Sequence, residues 1–393
     1  MNTPIPYAQI GTHQVMPAAS HDERARFDTI AHVANLLSAR VVPKVREAYH
    51  GRAAASFQAQ HGRLPATRKD AFSALETDPA WISWSSLRRH TMELRQQAGR
   101  MLVLRQLAEL RRRVDALNAG APTLRLDPAF KPPRYLSVLD QHCMPGGYLA
   151  LDELDPLLAP ANYDAGIFAT TGGAAGPWSD AAGRLLVDWL DRESRLPDRR
   201  LRIVDLGCGI GHNTLPLARR FPDAEIIAID AAAPMLEYGH ARARALGIEN
   251  ITFMQADAAA TGLPAGEWDL VFTTMVLHET SRSAVPAIFR ECRRLLAAGG
   301  LTLHLEQPPF RGLEPFEQAM RDWDGRYNGE PFWTGLHESN LPELLAGCGF
   351  PAVGIFEMML TAPPANPGQS VPEAASEDYG RAPRWYVVGS TRS

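Results

Sequence analysis

Ile203-Val204-Asp205-Leu206-Gly207-Cys208-Gly209-Ile210-Gly211-His212 is an apolar run that passes into a glycine-rich turn. A helical pattern follows over 213–221. The glycines let the backbone turn tightly and approach a ligand that a Cβ would block. The helix start presents free N–H groups. The next strand pattern, 225–229, ends at Asp230, 25 residues after Asp205. An acidic side chain there can accept hydrogen bonds from both ribose hydroxyls of a nucleotide-like ligand.

Downstream the rhythm continues as strand and helix. Strand patterns cover 251–255, 269–273 and 301–305, and helical ones cover 234–246 and 283–297, the last stopped by Gly299-Gly300. Strands alternating with such helices predict an α/β fold with a parallel doubly wound sheet. Two closing strands are expected at 353–359 and 385–388, around a Pro-rich excursion at 362–383. Upstream, 22–61 reads as helical with a break at Pro43, 70–75 as a short helix, and Asp78-Pro79 as the start of a long helix reaching Asn118. Val103, Leu107, Leu110, Val114 and Leu117 form one apolar stripe, suited to a helical core or a dimer seam. The expected organisation is a helical region at 1–120, a connector or lid at 121–195, and an α/β domain at 196–393.

The chain has 393 residues, 45% apolar and 21% charged, which excludes general disorder, a collagen-like chain and a continuous coiled coil. A net charge of −4 does not advertise nucleic acid as a partner. The balance is uneven, with 17 Lys/Arg against 10 Asp/Glu in residues 1–120. Cys143, Cys208, Cys292 and Cys348 are too scattered for a zinc knuckle or redox dithiol. No signal-peptide pattern and no long apolar run are present, so a cytoplasmic location is expected.

The spacing G-x-G-x-G, with Asp205 two residues before the first glycine, departs from the dinucleotide fingerprint. It resembles the first motif of the class I S-adenosylmethionine-dependent methyltransferases. Asp230, Asp257-Ala258, Asp269-Leu270-Val271, and Leu295-Leu296 with Gly299-Gly300 extend the resemblance over about 201–308. The nearest branch is the UbiE-like small-molecule group, with a Rossmann-like sheet. The resemblance implies S-adenosyl-L-methionine as cofactor and S-adenosyl-L-homocysteine as product. It implies that Asp205 stands beside the methionine end and that Gly207, Cys208, Gly209 and Gly211 pass under the cofactor. Asp230 would bind the ribose, with Ala231 and Met235 beside the adenine. Asp257 and Ala258 would bind the adenine edge, and Thr274 and Met275 would line the methionyl side. Cys208 also reads simply as a small residue in a tight turn.

A sulfonium is an activated methyl donor, so the specific chemistry must lie outside the cofactor motif, at the carboxyl ends of the strands. His278 follows the fourth strand, where the resemblance places the acceptor, and is a candidate general base with a pKa suited to neutral pH. Glu279 can orient it or cap a helix. Glu306, just past the fifth strand, can bind an ammonium or assist deprotonation. Trp323 and Tyr327 share a helix face amid Asp322 and Asp324 and form a candidate cation site. His142 and Tyr148 lie in a polar segment that can wall the site, and Tyr163 is a candidate lid residue. No spacing of His142, His278, Glu279 and Glu306 supports a metal, and none is expected. The expectation is methyl transfer to the O, N or S of a small-molecule acceptor, in secondary metabolism, with a possible homodimer. Two alternatives are an RNA or protein methyltransferase using the basic helical region, with Arg111-Arg112-Arg113, and a non-catalytic scaffold. Thr273-Thr274-Met275-Val276 stands where base and amide methyltransferases carry a Pro-Pro tetrapeptide, and the cofactor residues are intact.

Overall fold

The computed structural model describes residues 5–151, 154–173, 175–193, 195–361 and 384–392. Among these, eight strands form one sheet: β1 (Leu124–Arg125), β2 (Arg202–Leu206), β3 (Glu225–Asp230), β4 (Ile251–Gln255), β5 (Trp268–Thr274), β6 (Leu296–Glu306), β7 (Phe356–Thr361) and β8 (Arg384–Thr391). Their order is β1-β4-β3-β2-β5-β6-β8-β7. Pairings from β1 through β6 are parallel, and β8 runs antiparallel to both β6 and β7. The order reverses at β2, whose neighbours are β3 and β5, and a crevice opens at the carboxyl ends there.

Parallel strands are covered on both faces and read as near-continuous apolar runs. All of β5 is buried. Helices Ala181–Glu193 and Thr214–Arg220 cover one face through Leu186 and Leu215. Ala284–Leu295 and Leu341–Gly347 cover the other through Ile288 and Leu345. Each such side chain contributes about 1.5–3 kcal/mol on burial.

Several expectations change. The helix stopped by Gly299-Gly300 ends earlier, at Leu295, and both glycines lie inside β6. Gly299 adopts a positive φ of 77° and its N–H donates to the Arg392 carbonyl, so the pair bends a strand. Pro43 does not break the first helical segment. A π-helical stretch, Leu37–Val41, widens the turn before Pro43 and absorbs its missing N–H. Strand β1, paired to β4, was not foreseen, being only two residues long. The Pro-rich excursion lies outside the described residues.

The long helix divides at Gln106 into Pro79–Leu104 and Leu107–Asn118. The stripe stays within the chain: Val103, Leu110 and Val114 are buried with Met235, Tyr238 and Ala241 of helix Ala233–Ala245. That packing places the stripe in a core of this chain. Arg111 pairs with Asp155 and Glu237, and Arg112 and Arg113 pair with Glu109. Arg111 is thus matched by carboxylates of this chain, while Arg112 and Arg113 share the single carboxylate of Glu109. Helix Pro79–Leu104 packs on helix Leu158–Thr171. Gly99 permits this approach, since a Cβ there would lie 2.0 Å from Asn162 Oδ1. No described helix is long and apolar enough to cross a membrane.

Candidate active site

The turn after β2 is locked to β3. The N–H groups of Gly207 and Cys208 donate to the Ile229 carbonyl at 2.7 and 2.9 Å. Gly207 has φ +78°, and a Cβ there would come within 2.6 Å of Val276. Asp230 closes the loop from below: its Oδ2 accepts from Gly209 N–H and its Oδ1 from Ala232 N–H, both at 2.8 Å. Burial pushes the Asp230 carboxyl up, against the stabilising backbone N–H groups.

A cavity of 240 Å³ opens above this turn. Of the residues named from the sequence, Gly207, Cys208, Gly209, Asp230, Ala231, Met235, Asp257, Ala258, Thr274 and Met275 are brought together on its wall. Asp257 Oδ1 accepts from Ala259 N–H at 2.8 Å, which fixes its carboxylate. Thr274 offers a buried hydroxyl with no hydrogen-bond partner among the described residues. Met275 holds a positive φ of 57°, a conformation sparsely used by bulky residues and typical of functional turns.

Asp205 and Gly211 do not line the cavity. Asp205 is buried behind the turn, where its Oδ2 accepts from Thr214 Oγ1 at 2.6 Å. Burial raises its pKa to about 7 despite that hydrogen bond, with Asp230 adding to the rise. The same hydrogen bond ties its carboxylate to the helix that follows the turn. Gly211 packs over the Phe253 ring.

The opposite wall is a chain of polar contacts. His278 Nδ1 lies 2.6 Å from Glu306 Oε2. Glu306 Oε1 accepts from the N–H groups of Val276 and Leu277 at 3.0 and 2.6 Å. Glu306 is thus buried behind His278 and does not line the cavity. Glu279 Oε1 accepts from Tyr148 OH at 3.1 Å and lies 3.0 Å from His142 Nε2. His142 Nδ1 lies 2.6 Å from Glu330 Oε1. Burial alone would lower the His278 pKa, but the Glu306 carboxylate outweighs it, and the value stands at about 9. The carboxylates around it, Glu306 first and then Glu279 and Glu330, thus favour the protonated form of His278. Burial would likewise lower His142, yet Glu330 and Glu279 hold it well above its ordinary value. Tyr163 completes this wall, with ring centroids 6.1 Å from Tyr148 and 5.7 Å from His212.

His142, Glu279 and Glu330 place ligand-capable atoms within 4.8 Å of one another. The imidazole already sits between the two carboxylates, so the trio is internally paired.

Trp323 and Tyr327 are not part of this cavity. Trp323 is fully buried among the N-terminal helices, with its Nε1 donating to Ser85 Oγ at 2.7 Å. Arg88 lies 4.4 Å from its ring centroid and reaches Asp324 at 2.9 Å. Asp322 pairs with Arg68. The expected cation site exists chemically, but arginines of this chain occupy it. Tyr327 is 40% exposed on the surface.

Sequence reasoning missed Tyr135, Arg95 and Gln96, all of which line the cavity. Burial raises the Tyr135 phenol, with Asp257 and Asp230 adding to the rise, which places it on the side of the expected ribose and adenine carboxylates.

A methyltransferase domain family matches residues 203–300. The demethylmenaquinone methyltransferase of Thermus thermophilus is 38% identical over 168 residues, 41% of this chain and 72% of that protein. A trans-aconitate 2-methyltransferase of Methylobacterium radiotolerans is 37% identical over 131 residues, 33% of this chain and 46% of that one. Another from Azoarcus sp. is 33% identical over 136 residues, 34% of this chain and 50% of that one. The chain spans about half the length of these two trans-aconitate relatives. The chain belongs to the class I S-adenosylmethionine-dependent methyltransferases. It is an enzyme of that class, and S-adenosylmethionine is its cofactor.

Proposed function

We propose that this enzyme methylates a small-molecule acceptor at O, N or S, by in-line attack on the cofactor methyl. The observation that carries the reading is a single cavity whose wall joins the glycine turn, Asp230 and Asp257 to His278, Glu279, His142 and Tyr148. When bound, the cofactor supplies an activated methyl on a sulfonium. In this reading Asp230 binds the ribose and Asp257 the adenine, while Asp205 and Gly211 keep the turn in shape. Residues 1–120 and 121–195 cover the acceptor side, and 196–393 form the cofactor domain.

His278 is the general base in this reading. Its Nδ1 is held by Glu306, so Nε2 is the nitrogen left to face the acceptor. The imidazolium loses stability beside a second positive charge, so cofactor binding favours its base form. His278 gives up its Nε2 proton to solvent, and the freed nitrogen then takes the proton of the acceptor. Glu279, 3.8 Å from Nε2, stays a carboxylate: burial would raise its carboxyl, but His142 outweighs burial and keeps it below the ordinary value.

The test is S-adenosylhomocysteine release against a panel of small hydroxy-, amino- and thiol-bearing acceptors. His278→Ala should lower turnover roughly 10²-fold and leave S-adenosylhomocysteine affinity unchanged. Wild-type turnover in that variant removes the base assignment. The wider reading fails if wild type binds cofactor and yields no methylated product.

A further inference from the structure

One charge on the cavity wall has no role in the chemistry above. Arg95 stands in helix Pro79–Leu104, lines the cavity and is only 3% exposed. Its Nε has no hydrogen-bond partner among the described residues. Among the described residues its Nη2 reaches only the Tyr163 carbonyl, at 3.4 Å. The other cationic or imidazole groups of the wall have carboxylate partners: His142 has Glu279 and Glu330, His278 has Glu306, and His212 has Asp164. Burying a guanidinium without a counter-ion is strongly unfavourable, because its lost hydration is not replaced. Desolvation depresses the Arg95 pKa to about 10, with no carboxylate prominent among its neighbours.

The side chain is nevertheless seated, not strayed. It rests on Gly166, where a Cβ would come within 2.6 Å of its Nε. The adjacent Gln96 accepts from Asn162 Nδ2 and donates to the His142 carbonyl, both at 2.8 Å. Two helices are thus tied together around a cation that the protein itself leaves unmatched. A planar fork of N–H donors is suited to bidentate recognition of carboxylate or phosphate.

We infer that Arg95 anchors an anionic group of the methyl acceptor, a carboxylate or a phosphate, so that the acceptor is a small organic acid or phosphate ester. The inference rests on the methyltransferase reading above. Its place favours the acceptor over the cofactor. The ionisable groups acting on Arg95 are Tyr163, Tyr148, Tyr7 and Cys143. Tyr148 in turn bonds Glu279, next to His278. The carboxylates assigned to the adenosine, Asp230 and Asp257, act instead on Tyr135.

The experiment uses the full chain in complex with S-adenosylhomocysteine, into which inorganic phosphate and trans-aconitate are titrated separately by calorimetry. The wild-type complex should bind at least one of these anions saturably at millimolar concentration. Arg95→Met should weaken that binding about 10–100-fold, the equivalent of one charged hydrogen-bonding partner. Arg95→Lys should recover part of it, since the charge returns without the fork. Thermal unfolding of both variants verifies that they fold, and removal of an unmatched buried charge should not lower the melting temperature of Arg95→Met. Three results overturn the inference: no saturable anion binding to the wild-type complex, unchanged anion binding in Arg95→Met, or a loss of S-adenosylhomocysteine affinity in that variant. The last would assign Arg95 to the cofactor carboxylate, and 5′-deoxy-5′-methylthioadenosine, which lacks that carboxylate, would then bind wild type and variant equally. Failure of wild type to bind S-adenosylhomocysteine at all would instead count against the methyltransferase reading itself.

Discussion

Glu306→Gln separates charge from shape at the centre of the site. In wild type one carboxylate oxygen faces His278 Nδ1 at 2.6 Å, while the other accepts from Val276 and Leu277 N–H. Glutamine can keep an oxygen on those two N–H groups and turn its amide N–H toward Nδ1. The imidazole then accepts at Nδ1, and burial, no longer opposed by the Glu306 charge, moves its pKa down from about 9. The rise from 6.5 to about 9 in the native protein corresponds to about 3 kcal/mol at 1.36 kcal/mol per unit. Because the folded pKa lies above the unfolded one, this stabilisation is fully present below pH 6.5 and is lost as pH rises through about 9. The variant should therefore be less stable than wild type by up to about 3 kcal/mol in mildly acidic buffer. The gap should largely close in alkaline buffer above the folded pKa. Urea unfolding on either side of that window measures the gap, and the Cε1–H resonance of His278 reports the titration directly. An unmoved His278 titration, or a stability gap equal in both buffers, would refute the electrostatic coupling.

Two further outcomes are expected. Asp230→Ala should weaken S-adenosylhomocysteine binding by about 1–3 kcal/mol, the scale of losing one buried polar partner; unchanged calorimetric affinity would sink the ribose assignment. Trp323→Ala should cost about 3–5 kcal/mol of stability through the cavity it leaves in the helical core, while cofactor affinity in the folded protein stays at the wild-type value.

The cofactor side of the cavity was legible because its signals are local. Glycines at a tight turn, an apolar strand before them and carboxylates at strand ends all act within a few residues. Asp205 was legible as a motif residue but not in its contact, because Thr214 lies on the following helix. Trp323 and Tyr327 amid Asp322 and Asp324 read as a site for a ligand cation, and in the structure Arg88 and Arg68 of this chain fill that place. One occupant, Arg88, lies more than 200 positions upstream, and no local pattern joins it to Trp323. The His278 charge state had the same cause: Glu306 was noted as a neighbouring candidate, but only the pairing of β5 with β6 brings the two together. A signal for Arg95 was available. Arg88, Thr91, Arg95, Ala98 and Leu102 recur at spacings of 3, 4, 3 and 4, and all five are buried. Polar residues in line with an apolar stripe lie on the inward face of their helix. That alignment marks a helix whose buried side carries polar groups as well as core.

The same helix serves two masters. Its first turns bury Trp81 and Trp84 among the helical core residues, and its middle turns carry Arg95 and Gln96 into the cavity. Gly99 and Gly166 fit it to Asn162 and Arg95 across the contact with helix Leu158–Thr171. A side chain added at position 99 would meet Asn162, and one added at position 166 would meet Arg95, so a change on either helix must be matched on the other. With Arg95 in its proposed role, the unit of specificity is the pair of helices, and divergence towards other acceptors is expected to proceed by paired changes, one on each side of the contact.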